Sequence, residues 1–351
     1  MRTFRRIARA GAGLAALALV AAACSDGSSA GGGGDGDIAS GLTGSVIVSG
    51  SSTVEPISTA VAEIFSESNP DVEVRVDGPG TGDGFELFCG GDTDINDASR
   101  PIEDDEVAAC EEAGIGYTEL EVGLDGLTVM GNPANPMTCL NSGDLYALFG
   151  PESEGIETWD GANALATEVG GTAGFPASSL DITAPGEESG TYDAFIELSG
   201  IPGIAESQGV PEDEWETLRK DYTASPNDNV IVTAMEGSEG ALGFVGFAFA
   251  QSAGEAVKEF EVDAGEGCVA PSAETVIDGS YPLSRSLYIY VSDAAMARPE
   301  VQAFVDLFVS DTGLTEAVAG FGYVPLPADR MEATRAAATD AGAGAGASVG
   351  A

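Results

Sequence analysis

Gly50-Ser51-Ser52-Thr53-Val54 follows the apolar run Ser45-Val46-Ile47-Val48 and opens a segment in which Val54, Ile57, Val61 and Ile64 recur at three- and four-residue intervals. That spacing is one face of an amphipathic helix, so the chain here runs strand, Gly/hydroxyl turn, helix. Such a turn gathers free backbone N–H groups, hydroxyls and the positive end of a helix dipole at one point, a ready site for an oxyanion. Read alone, the same residues are also a Ser/Thr helix cap. Recurrence of the device downstream favours the anion site.

Working outward, Val72-Glu73-Val74-Arg75-Val76 alternates as a strand and ends in Gly78-Pro79-Gly80-Thr81-Gly82-Asp83-Gly84, after which Phe85-Glu86-Leu87-Phe88 starts a helix. Thr183–Thr191 leads in the same way into the helical segment Tyr192–Leu198. Between them, Asp94–Pro101 is a short strand ending in Ser99-Arg100, and Glu103–Glu112 is an acidic helix. Leu124-Asp125-Gly126-Leu127-Thr128-Val129-Met130 reads as a buried strand interrupted by one Asp-Gly, and Leu287–Val291 as another. Leu140–Phe149 is a helix capped by Asn141 or Ser142. Strands alternate with helices throughout, which means an α/β class, and the length favours two lobes over one.

The ends of the chain carry different information. Arg2, Arg5, Arg6 and Arg9 precede the apolar run Gly11–Ala23, the pattern of a signal peptide over residues 1–23. Ala-Ala-Ala-Cys24 resembles the lipobox of bacterial lipoproteins, which implies a lipid on Cys24 and a protein tethered to the outer face of the cytoplasmic membrane. Residues 24–43 are Gly/Ser/Asp-rich, a flexible linker. Residues 331–351, ending in Ala/Gly low complexity, are expected to be a disordered tail. The formal charge is −45, which excludes nucleic acid as a partner and requires any anionic ligand to be held by short-range contacts. With Cys24 set aside, Cys89, Cys110, Cys139 and Cys268 allow three pairings; Cys89–Cys110 closes a short local loop and is expected together with Cys139–Cys268. The absence of histidine and of close cysteine pairs argues against a metal site, and no cofactor is implied.

Five motifs in order, Gly50-Ser-Ser-Thr-Val, Gly80-Thr-Gly-Asp-Gly-Phe, Asp97-Ala-Ser-Arg-Pro-Ile, Ser189-Gly-Thr-Tyr-Asp and Gly240-Ala-Leu-Gly-Phe, resemble the phosphate-binding lipoproteins (PstS type) of the high-affinity phosphate ABC importer. The resemblance implies a periplasmic-binding-protein fold, with two α/β lobes joined by a two-strand hinge and phosphate held in the cleft. By analogy, residues 44–126 plus 284–330 form lobe I and residues 127–283 form lobe II. The partners implied are inorganic phosphate and a membrane permease. Carried over by position, Ser52, Thr53, Thr81, Ser99 and the turn Ser189-Gly190-Thr191 would bind phosphate. In many relatives an arginine stands four residues before that serine; here the position is Pro185. Arg100 is then the arginine inside a matched motif, and the charge role falls to it.

Phosphate near neutral pH keeps a proton and sulfate does not, so a fixed carboxylate that accepts from P–OH selects between them. Asp125, Asp83 and Asp193 are the candidates, with Asp125 first because a carboxylate inside an apolar run has little other reason to be there. The rival classes are a binder of sulfate or molybdate, a surface sensor or adhesin on the same scaffold, and an exported phosphoester hydrolase. The last is disfavoured: without histidine there is no Ser-His-Asp triad.

Overall fold

The computed structural model describes residues 39–348 except 173 and 188; the signal segment, Cys24 and most of the linker lie outside the described residues. The first half of the chain contributes β1 (Thr43–Gly50), β2 (Asp71–Asp77), β3 (Ile95–Ala98) and the long β4 (Tyr117–Gly131). There follow β5 (Cys139–Asn141), β6 (Asp181–Ala184), β7 (Thr223–Ala224), β8 (Ala241–Gly246), β9 (Lys258–Glu259), β10 (Glu261–Asp263), β11 (Cys268–Val269) and β12 (Ser284–Ser292). One path of strands runs β2-β1-β3-β12-β4-β8-β6-β7, and β11-β10-β5 form a small separate sheet.

The two larger of four buried apolar clusters among the described residues form the main cores on this path. The first gathers Val46, Val48, Ile57, Phe65, Ile289 and Phe304; the second gathers Tyr146, Trp159, Phe195, Phe244 and Phe260. The chain passes between them on two adjacent strands. Val122 of β4 lies in the first core and Leu124 and Leu127 in the second, while Leu287 of β12 lies in the first and Leu283, just before it, in the second. Both strands carry polar residues through the crossing, Asp125 on β4 and Ser284-Arg285-Ser286 on β12, between apolar residues buried on either side.

In the first half β1 is parallel to both β2 and β3. In the second, β6 is parallel to β7 and β8. Parallel strands send their carboxyl ends, and the loops that follow, to one edge of the sheet, where α/β proteins bind ligands. β1 delivers residues 51–54 into α1 (Glu55–Ser68), whose buried stripe is Ile57, Ser58, Val61 and Phe65. Ile64, expected on that stripe, is half-buried beside it. Proline in the first helical turn suits the start of α1, because its missing N–H is not needed there. No side chain caps α1. Ser52 and Thr53 are thus not used as caps. α2 (Thr81–Cys89) follows β2, and α3 (Asp104–Ala113) follows β3. Asn141, one of the two expected caps, accepts from the Asp144 N–H at 2.9 Å at the head of the helix Ser142–Phe149.

Both disulfides pair as expected, Cys89 with Cys110 and Cys139 with Cys268. The tail requires a correction. Residues 331–348 are not disordered but belong to the helix Ala328–Ser348. Alanine is the best helix former, which low-complexity composition conceals. The helix is also docked: Arg330 pairs with Glu121 and donates to the Ile277 carbonyl at 3.0 Å, Thr334 donates to the Glu121 carbonyl at 2.8 Å, and Ala338 is buried.

The first loop sits on β3 at very close range. Gly50 has φ 143°, and a Cβ there would come within 2.1 Å of the Asp97 carbonyl; one at Gly84 would come within 2.4 Å of the Gly50 Cα. Only glycine permits these approaches. Beneath the loop the fully buried Asp97 carboxyl accepts from Ser58 Oγ at 2.9 Å. Burial, against the opposing Ser58 bond, pushes its pKa up to about 8. The folded chain then keeps a proton that the unfolded chain gives up near pH 4, so this stabilisation is complete below about pH 4 and fades as pH rises to 8. Asp97→Asn should flatten that loss. Relative to wild type it should gain at least about 1 kcal/mol between pH 5 and pH 8 in urea unfolding; parallel pH profiles would show that Asp97 is ionised in the fold.

Candidate anion-binding cleft

The loops after β1, β2 and β3 and the head of the helix Gly190–Ser199 meet at the crossing strands. Gly80 N–H donates to the Gly50 carbonyl at 2.9 Å, which ties the first two loops together. Thr81 Oγ1 and Ser99 Oγ lie 3.1 Å apart, and the Ser99 N–H donates to Thr81 Oγ1 at 3.2 Å. From the other half, Ser189 caps its helix by accepting from the Thr191 N–H at 3.2 Å. A Cβ at Gly190 would stand 3.3 Å from the Ser52 carbonyl oxygen, a tight approach between the two halves. Ser52 Oγ donates across the gap to Asp193 Oδ2 at 2.9 Å.

At the centre stands Arg285, on β12. In the antiparallel register it lies directly opposite Asp125 of β4. Its Nε donates to Asp125 Oδ2 at 3.4 Å, its Nη2 donates to Thr53 Oγ1 at 3.0 Å, and its Nη1 is paired with Glu197. Tyr323 OH donates to the Thr53 carbonyl at 2.8 Å and steadies that loop from behind. A cavity of about 430 Å³ opens beside the arginine, lined by Thr81, Ser99, Arg100, Glu197, Arg285 and Ser286 among others. A second, of about 280 Å³, is lined by Ser52, Gly80, Asp193, Glu197 and Glu216 among others. Burial raises the pKa of Asp125, with Arg285 pulling it back; burial likewise raises that of Asp193, opposed by the Ser52 bond. Hydroxyls, amides and the Arg285 guanidinium, ringed by carboxyls, suit a small, partly protonated oxyanion.

Ser52, Thr53, Thr81, Ser99, the turn Ser189–Thr191, Asp125 and Asp193 are thus brought to one place. Arg100, expected to carry the charge, lines the same cavity as Arg285 and is paired with carboxylates: Glu106 takes both its terminal nitrogens, at 2.8 and 2.7 Å, and Glu103 its Nε at 3.3 Å. Asp83 is exposed in the first turn of α2. Arg285 and Glu197 were missed by sequence reasoning. The signal available for Arg285 was a basic residue just ahead of the apolar run Leu287–Val291, in a chain poor in basic residues.

The profile of the PBP superfamily domain matches residues 35–312. Protein SphX of Synechococcus elongatus is 39% identical over 293 residues, covering 83% of this chain and 80% of that protein. The phosphate-binding protein PstS of Staphylococcus saprophyticus is 32% identical over 285 residues, covering 80% and 81%. This chain is a PstS-type member of the PBP superfamily. Among solved structures, that of a possible phosphate-binding protein from Planctomyces limnophilus aligns with a TM-score of 0.76 at 34% identity, over 86% of this chain and 99% of that one. The two-core architecture on crossing strands is the periplasmic-binding-protein fold. Membership places the chain among binding proteins and not enzymes.

Arg285→Ala should leave Asp125, 2% exposed, as an unpaired buried carboxyl. The expected cost is about 3–5 kcal/mol of folding stability near pH 8. It should shrink at pH 5, where a carboxyl with a raised pKa can take up a proton, and Arg285→Ala with Asp125→Asn should recover most of the loss. Urea unfolding of the three variants at both pH values is the check; equal costs at both would mean that Asp125 does not depend on Arg285.

Proposed function

We propose that this protein captures inorganic phosphate between its two halves and delivers it to the membrane permease of an ABC importer. The observation that carries the reading is the meeting of Thr53, Thr81 and Ser99 at Arg285, with the turn at Gly190 and Asp193 approaching Ser52 from the other half. Support comes from the phosphate-binding PstS of S. saprophyticus and the possible phosphate-binding protein of P. limnophilus. In this reading residues 44–126 plus 284–330 form one lobe and residues 127–283 the other, hinged where β4 and β12 cross between the cores. Arg285 supplies the charge, and Asp125 orients it. Asp193 lines the cleft and is the better placed acceptor of the phosphate proton, with Asp125 the alternative.

The amino-terminal reading completes the proposal. A lipid on Cys24 and a leash of Gly and Ser residues would hold the binding domain at the outer face of the membrane. No described helix is long and apolar enough to cross a bilayer.

Calorimetry of the chain from Ser25 onward should give tight phosphate binding and at least about 100-fold weaker sulfate binding, the scale of one buried unpaired charge. Asp193→Asn should narrow that ratio; an unchanged ratio there with a narrowed one in Asp125→Asn would move the acceptor. Equal affinity for both ions in the parent would overturn phosphate selectivity. For the anchor, Cys24→Ser should shift the full-length protein from the membrane fraction to the soluble one, and retention after a salt wash would refute lipidation.

A further inference from the structure

Each nitrogen of Arg285 has a different partner, and the three differ in how firmly they are held. Asp125, behind, is 2% exposed; Thr53 belongs to the buried first loop; Glu197 is 53% exposed. Glu197 lies late in the helix Gly190–Ser199, whose inner residues Phe195 and Ile196 pack into the second core. Among the described residues it is the hydrogen-bonded partner of Arg285 that comes from the second half of the chain. Glu197 also lines both cavities, so its side chain stands between the Thr81–Ser99 compartment and the Ser52–Asp193 compartment. A carboxylate and a phosphate present the same pair of oxygens to a guanidinium.

We propose that Glu197 is a built-in surrogate anion: it holds Arg285 and so latches the empty cleft shut, and it swings out to solvent when the ligand anion takes its place. The proposal rests on the reading of the cleft as an anion site. The Ser52–Asp193 bond and the Gly190 contact cross the same gap, and with the Glu197 pair they draw the two halves together. A ligand entering this cleft must displace a tethered competitor, and its apparent affinity falls by the fraction of molecules latched. Because Glu197 is half exposed, its release returns the carboxylate to water at little cost. Asp125 has no such exit.

The test is Glu197→Gln in the soluble chain from Ser25 onward, with circular dichroism confirming the fold. Two readouts are required. Without ligand, small-angle scattering should show the parent compact and Glu197→Gln expanded, and phosphate should return the variant to the parent's dimensions. In calorimetry the variant should bind phosphate about 5–10-fold more tightly, since the competitor is gone. Weaker phosphate binding in Glu197→Gln would mean that the carboxylate contacts the ligand, and would overturn the latch. An unliganded variant as compact as the parent would overturn it too, as would unchanged affinity. If the parent binds no phosphate at all, scattering of the unliganded proteins alone decides: expansion keeps the latch while the phosphate reading falls, and no expansion removes both.

Discussion

The pairing of Arg285 with Asp125 across two adjacent strands is the interaction around which the molecule is arranged. Two opposite charges placed directly opposite on neighbouring strands are within reach by register alone, without help from long side-chain excursions. Those two strands are also the passage between the cores. The same pair therefore sits at the mechanical centre and at the chemical centre. A lone guanidinium here would be poorly oriented, and a lone aspartate in an apolar strand would be a liability. Each makes the other tolerable, and together they aim one positive charge at the loops that surround it.

That local arrangement answers the problem set by composition. At −45 the chain repels anions at long range, yet salt screens fields beyond roughly 8–10 Å. Capture must then be decided inside the cleft, by groups within hydrogen-bond distance. The site is built from many weak donors around the Arg285 guanidinium, not from a positive patch. Three carboxyls, Asp125, Asp193 and Glu197, crowd that cation. Such crowding is unfavourable for a fully ionised ligand and favourable for one that brings a proton to share.

The loops were legible in the sequence because each is local: a strand period, a run of glycine and hydroxyl residues, then a helical period. Ser52, Thr53, Thr81, Ser99 and Ser189 could be placed by their neighbours in the chain. Asp125 was legible as a charge in an apolar run. Arg285 lies between two serines just ahead of an apolar run, 160 residues away from Asp125, and only strand register joins them. Glu197 had no signal at all, since a glutamate late in an amphipathic helix is ordinarily solvated surface. For Arg100, motif position does not reveal that Glu103 and Glu106, at the head of the next helix, pair with it. The carboxy-terminal helix was hidden by composition, since its attachment depends on Glu121, distant in sequence.

β12 lies between β3 and β4, although β3 and β4 are complete long before it in the chain. Everything from residue 132 to residue 283 comes between them. As the polypeptide emerges from a ribosome, the second core has nearly all its residues while the first still lacks β12 and the helix Pro299–Phe308. Until β12 arrives, β3 and β4 face each other across an empty slot, each with an unpaired edge. The first half of the chain is thus the last to be finished, and an arrested or truncated molecule would expose that slot. Two strand edges near the beginning of the chain are thus closed only by residues near its end.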